Sequence, residues 1–271
     1  MLRTFNCGLG MIVITSKDDA EATLGLLRSC GEPDAGVVGR LTKSVSKERV
    51  LVDNFSQQKI ISKSAPRRKR VAVLISGDCS NLQALIDHTV DPMKQSEAEI
   101  VLVISNVPEV RGLERAAKAG IKGVVIQSKG KKRESFDREV NQVLIEHRVE
   151  FVCLAGFMRI VSPYFVKEWE GRLINIHPSL LPSFPGIHTH EQVLQTGVKV
   201  HGATIHFVDS GVDTGAIIAQ EAVPVLNNDT PQSLQERVKL QVEHKMYPTV
   251  LELLVRGKVS LDVNTKKCVW K

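Results

Sequence analysis

The stretch "INIHPSLLPSFPG", residues 174–186, places Asn175 and His177 two positions apart, just ahead of a cluster of prolines. Strand side chains alternate between faces, so both would project from one face of any strand that carries them. Pro178 has no ladder donor and holds His177 extended, which ends the strand and leaves both side chains at its C-terminal edge. Ligands in open α/β sheets bind at that edge. A lone strand histidine is more often structural, but an amide on the same face offers an oxyanion donor beside a proton-transfer group.

Other stretches carry chemistry of their own. In "DSGVDTG", residues 209–215, an Asx turn accounts for Asp209. Asp213, in a loop over the same edge, can orient His177 and raise its basicity. "SGDCSN", residues 76–81, runs from a strand into a helix. Its free N–H groups suit an anion, although it is neither GxGxxG nor a Walker loop and also reads as a bare turn capped by Ser80 or Asn81. "AGFMRIVSP", residues 155–163, offers a hinge or the wall of a flat aromatic pocket. His188, His190, His201 and His206 invite a metal reading that no HExxH or cysteine set supports, so no metal is expected. His206 reads as a mid-strand residue supporting its neighbours.

These residues need a scaffold, and the pattern supplies one. From Val71 onward, apolar runs "VAVLI", "IVLVISN", "GVVIQ" and "FVCLAG" alternate with amphipathic "NLQALIDHT", "RGLERAAKAG" and "ESFDREVNQVLIEHR". That alternation predicts βαβ units around a mostly parallel sheet buried on both faces. "RLINIHP" is a further strand, "GATIHFVD" and "AIIAQEAVPV" an antiparallel pair, and residues 233–256 a helix that Pro248 should kink or divide. The expected class is α/β: an open, Rossmann-like sheet with helices on both faces, preceded by a small α+β segment. In that segment "GMIVITS" and "RVLVDNF" read as strands around a helical "AEATLGLLRSCG". Roughly 65 residues with so few large apolar groups would be marginal alone.

Composition narrows the class. The 271 residues are 42% hydrophobic and 24% charged, a globular balance. Five scattered cysteines without CxxC spacing imply neither disulfide framework nor zinc ribbon. With no signal peptide and no membrane-length apolar run, a cytoplasmic protein is expected. The net charge of +6 is concentrated in "RRKR" and "KGKKR", and aromatics are only 4%, so a solvated linker and a basic loop are favoured over a nucleic-acid surface.

Together "SGDCSNLQALID", "AGFMRIVSP", "INIHPSLLPSFPGIHTHEQ" and "HFVDSGVDTGAIIAQ" resemble glycinamide ribonucleotide formyltransferase, over about residues 70–271. "RTFNCGLGMIVI" and "GVVGRL" resemble the C-terminal end of aminoimidazole ribonucleotide synthetase over residues 1–55, with a basic linker at 56–69. In animals the two enzymes share one polypeptide, and the resemblance implies the tail of such a fusion and association with other purine-synthesis enzymes. It implies 10-formyltetrahydrofolate as cosubstrate and glycinamide ribonucleotide as formyl acceptor. Asn175 and His177 would stabilise the tetrahedral oxyanion or manage the amine proton. Asp213 would position His177 and a water. Gly77, Asp78, Cys79, Ser80 and Asn81 would hold the ribonucleotide phosphate and Glu243 the ribose. Met158, Arg159, Ile160, Val161, Val208 and Val212 would line the pterin pocket, with Arg133 and Arg159 on the folate carboxylate.

Two departures from the family pattern bear on the nucleotide. Cys79 stands where a second glycine is usual, and Asp78 puts negative charge beside a phosphate. "VEH" comes one residue late, which would turn Glu243 by about 100° around its helix. The alternatives are a formyltetrahydrofolate hydrolase, or a non-catalytic paralogue binding folate or a partner enzyme. Methionyl-tRNA formyltransferase is disfavoured because no residues are left for its extra C-terminal domain.

Overall fold

The computed structural model describes residues 15–30, 37 and 67–271 of the chain. Two compact units divide it, Met1–Ser62 and Lys63–Lys271. In the first, helix α1 spans Ala20–Ser29, within the stretch read as helical. The strand predicted at "RVLVDNF" lies outside the described residues, as does nearly all of "GMIVITS".

The second unit is built on strands β1 (Lys69–Ile75), β2 (Ala98–Ser105), β3 (Lys122–Val125), β4 (Phe151–Leu154), β5 (Leu173–His177), β6 (Val200–Phe207) and β7 (Ile217–Pro224). They form one sheet in the order β3-β2-β1-β4-β5-β6-β7. β1 to β5 pair in parallel, and β6 runs antiparallel to both β5 and β7. Successive β1 residues serve opposite layers: Val71, Val73 and Ile75 pack in one core, Ala72 and Leu74 in the other. Burial on both faces explains the unbroken apolar runs. Helices α2 (Ser80–Val90), α3 (Arg111–Lys118), α6 (Thr189–Thr196), α7 (Pro231–Val238) and α8 (His244–Val255) contribute to the first core. Helices α4 (Arg133–Glu146) and α5 (Pro163–Glu168) contribute to the second.

The chain leaves β1 toward β2 and β3, then returns to lay β4 on the other side of β1. The loops after β1 and β4 therefore diverge at a topological switch point, where α/β sheets open a crevice. Two hydrogen bonds tie those loops at their base: Ser76 N donates to Gly156 O at 3.1 Å, and Met158 N to Ser76 Oγ at 2.8 Å.

Two expectations are corrected. "RRKR" is not simply a solvated linker, because Lys69 and Arg70 open β1, the Arg68 guanidinium donates to the Thr89 and Ala98 carbonyls, and Arg67 and Lys69 meet Glu150. Pro248 lies inside α8 without dividing it; the interruption is a π-turn at Lys239–Glu243. The chain also forms a C-terminal hairpin of β8 (Val259–Asp262) and β9 (Lys267–Trp270), whose four-residue strands are too short to show a period in the sequence.

Candidate functional site

β5 ends at His177, and its last residues pair with β6 so that Asn175 lies opposite His206 and His177 opposite Thr204. The His206 ring is fixed by its own strand. Its Nδ1 donates to Phe207 O at 2.9 Å, which leaves Nε2 as the acceptor for Asn175 Nδ2 at 3.2 Å. Burial lowers the His206 pKa and keeps that lone pair available. One amide hydrogen of Asn175 is thereby held, and its orientation sets the other.

His177 is buried, with Nε2 at 3.0 Å from Phe184 O and Nδ1 at 3.3 Å from Asp213 Oδ2. Both neighbours are oxygen acceptors, so each ring nitrogen faces a hydrogen-bond partner that fixes the plane of the imidazole. Asp213 arrives from the β6–β7 turn in a left-handed conformation, φ 54°, and its Oδ2 also accepts from Gly186 N at 2.8 Å. Its Oδ1 lies 3.8 Å from His206 Nε2, so the carboxylate sits between two imidazoles. Asp209 makes the expected Asx turn, accepting from Gly211 N and Thr214 Oγ1. Gly215 closes the turn where a Cβ would stand 1.7 Å from Phe207 O.

The proline-rich loop is pinned from below. Thr204 Oγ1 donates to Ser179 O at 2.6 Å and accepts from Leu181 N and Gln220 Nε2. Those bonds fix the turn that presents Phe184 O to His177.

Asn175, His177 and Asp213 line a cleft of about 630 Å³ together with Met158, Arg159, Ile160, Val161, Val208 and Val212. Every residue assigned to the pterin side is therefore on one cavity wall or another, except Arg133. Arg133 starts α4 and is not among the lining residues, although its charge and that of Arg159 both act on the buried Asp137. Arg159 lies 4.7 Å over the Phe136 ring and donates to Lys131 O. Its Nε is buried without a partner among the described residues.

The loop of Gly77, Asp78, Cys79, Ser80 and Asn81 stands outside that lining, next to it through Gly156. Cys79 has φ 50°, a left-handed conformation that costs a non-glycine residue roughly 1–2 kcal/mol. Burial pushes its thiol pKa up. Asp78 does not stand as an unpaired charge: its Oδ1 is 2.9 Å from Arg115 Nη2 and 3.5 Å from Arg111 Nε.

Glu243 ends a non-α segment of its helix. The π-turn at Lys239–Glu243 takes up about one more residue per turn than an α-helix, which changes the phase of the residues that follow it. Glu243 is buried, and its Oε2 accepts from Asn81 Nδ2 at 2.7 Å. The next residue, His244, places Nε2 2.9 Å from Ser80 Oγ. Burial raises the Glu243 pKa and lowers that of His244, with Lys239 and Arg115 adding to the latter. Asn81 Oδ1 is buried and without a partner among the described residues.

The remaining histidines are dispersed. His190 and His201 pair ring to ring at 3.0 Å, and His188 is exposed beside Glu191. Among the described residues no group of three or more His, Cys, Asp or Glu is gathered as a metal set. The sequence did not single out Arg115, His244, Phe184 O or Gly186 N. Two of these are backbone atoms, and the other two are ordinary helix residues until the tertiary fold aims them.

Residues 69–251 match the Formyl transferase family. The chain belongs to that family. Residues 1–52 match the C-terminal domain of AIR synthase related protein. The Escherichia coli phosphoribosylglycinamide formyltransferase is 43% identical over 195 residues, 72% of this chain and 91% of that protein. The trifunctional purine biosynthetic protein adenosine-3 of Drosophila melanogaster is 50% identical over 94% of this chain, which spans 19% of that relative's length. The crystal structure of glycinamide ribonucleotide transformylase 1 from Symbiobacterium toebii superposes with a TM-score of 0.71 at 39% identity, covering 75% of this chain and 94% of that one. The formyl transferase sheet, mostly parallel with β6 reversed, is thus the architecture of this chain. Among the described residues no helix is long and apolar enough to cross a membrane.

Proposed function

We propose that this chain transfers the formyl group of 10-formyltetrahydrofolate to the amine of glycinamide ribonucleotide, a step of purine synthesis. The observation that carries the proposal is the convergence of Asn175, His177 and Asp213 in a cleft of about 630 Å³. The amine nitrogen attacks the formyl carbon and forms a C–N bond, and the carbonyl electrons move to oxygen. Asn175 Nδ2 and His177 stabilise that oxyanion, and Asp213 orients His177. A proton passes from the attacking amine to the folate N10, the bond from carbon to N10 breaks, and the products are the formylated amide and tetrahydrofolate.

The pterin lies along Met158, Ile160, Val161, Val208 and Val212, with the folate carboxylate toward Arg159. The phosphate meets the loop at residues 77–81, and Glu243 the ribose. Residues 1–55 are a piece of a synthetase domain, and a linker that ends before Arg67 leads into the transferase, while association with other purine-synthesis enzymes follows from the fused relatives. No metal takes part. The test is formyl loss from 10-formyltetrahydrofolate with and without glycinamide ribonucleotide. Loss that requires the nucleotide supports transfer, loss without it supports hydrolysis, and binding without turnover supports a non-catalytic paralogue.

A further inference from the structure

We infer that Asp78 is a positioning residue for the nucleotide side of the site, where it holds Arg115 so that the strained phosphate loop keeps its binding conformation. The inference rests on the nucleotide reading above. Three contacts of one guanidinium support it: Arg115 Nη2 to Asp78 Oδ1 at 2.9 Å, Nε to Asp78 O at 3.0 Å and Nη1 to Gln83 Oε1 at 3.2 Å. One side chain of α3 thus grips the loop by side chain and backbone and also grips α2. The Arg115 side chain is only 23% exposed, so its geometry is held rather than averaged by solvent.

α3 comes close enough to act as a clamp because Gly112 has no side chain. A Cβ there would meet Ile75 Cδ1 at 2.4 Å and Gly77 O at 2.9 Å, and Gly112 N donates to Gly77 O at 3.2 Å. The clamped turn contains left-handed Cys79, whose carbonyl accepts from Leu82 N at 3.0 Å and starts α2. A non-glycine residue in that conformation needs surrounding structure to hold it. With Arg111 also at its edge, the loop side carries two cations against one carboxylate. Asp78 therefore organises cationic charge for a phosphate monoester instead of repelling it.

The test is a double-mutant cycle of Asp78→Asn and Cys79→Gly, with Arg115→Gln as a second disruption of the clamp. Asp78→Asn and Arg115→Gln are each expected to raise KM for glycinamide ribonucleotide about three- to tenfold, with KM for the folate unchanged. With Cys79→Gly already present, Asp78→Asn should change KM less than twofold, since the strain it offsets is gone. A lowered or unchanged KM in Asp78→Asn, or the same effect in both backgrounds, overturns the inference. Amide exchange of Leu82 and Gly112 in the nucleotide-free protein provides a readout independent of activity. Both amides should lose protection in Asp78→Asn and Arg115→Gln, and unchanged protection overturns the clamp. If the native chain shows no nucleotide-dependent transfer, the functional reading fails, and the exchange result still decides the clamp.

Discussion

Asn81 Nδ2 donates to Glu243 Oε2 at 2.7 Å, a buried bond that joins the first turn of α2 to the end of the π-turn across 162 residues of chain. The same two elements also meet at Ser80 and His244, so the bond braces the part of the molecule proposed to hold the nucleotide. Glu243→Ala should raise KM for glycinamide ribonucleotide about tenfold. It should also destabilise the fold by roughly 1–3 kcal/mol, since the Asn81 amide would be left buried without a partner. Steady-state kinetics at varied nucleotide and denaturant unfolding check the two effects, and native values for both would remove Glu243 from the site.

Asn175→Ala, His177→Ala and Asp213→Asn should each lower kcat by roughly a hundredfold or more, the usual effect of losing an oxyanion donor or proton-transfer group. His206→Ala should cost about ten- to a hundredfold through misorientation of Asn175. Folate affinity, followed by fluorescence titration, should stay within a few-fold of native in all four. Native turnover in the first three would exclude the catalytic assignment.

The His190–His201 pair makes stability depend on acid. Burial lowers both pKa values to about 4, with the charges of His201, Lys239 and His177 adding to it for His190 and that of His177 for His201. In the unfolded chain they titrate near 6.5, so between those values the unfolded state binds more protons. Their contribution is complete above about pH 6.5 and is lost as pH falls toward 4. Thermal unfolding at pH 7, 5.5 and 4.5 should show a falling Tm, with a shallower slope in His201→Gln. Equal slopes would mean that other groups set the acid limit.

Every proposed site residue lies within the unit Lys63–Lys271. A chain starting at Lys63 should fold and turn over as the full chain does. One starting at Lys69 should be less stable, because it loses the Arg68 bonds to the Thr89 and Ala98 carbonyls. Matched melting curves and kcat values for the three lengths test this, and an inactive Lys63 start would make the first unit necessary.

Much of this molecule is written in local pattern. Val71 to Ile75 is apolar at every position because both faces of β1 are covered, and Pro178 ends β5 at His177 by removing a ladder donor. Such features depend on a residue and its near neighbours, so the alternation of strands and helices, the sheet-edge pair and the Asx turn at Asp209 could be read directly. What decided the rest was contact between residues distant in the chain. The charge on Asp78 reads as repulsive until α3 brings Arg115 against it, and the Asn81 partner of Glu243 becomes visible only when α2 and the π-turn are packed together. The role of His206 depends likewise on β6 lying antiparallel to β5, which puts its ring against the Asn175 amide. Sequence determined the alternation that builds the seven-stranded sheet and the end of β5, through local sterics and periodic burial; tertiary structure decided charge pairing and side-chain phase, because both are set by partners that no local window contains.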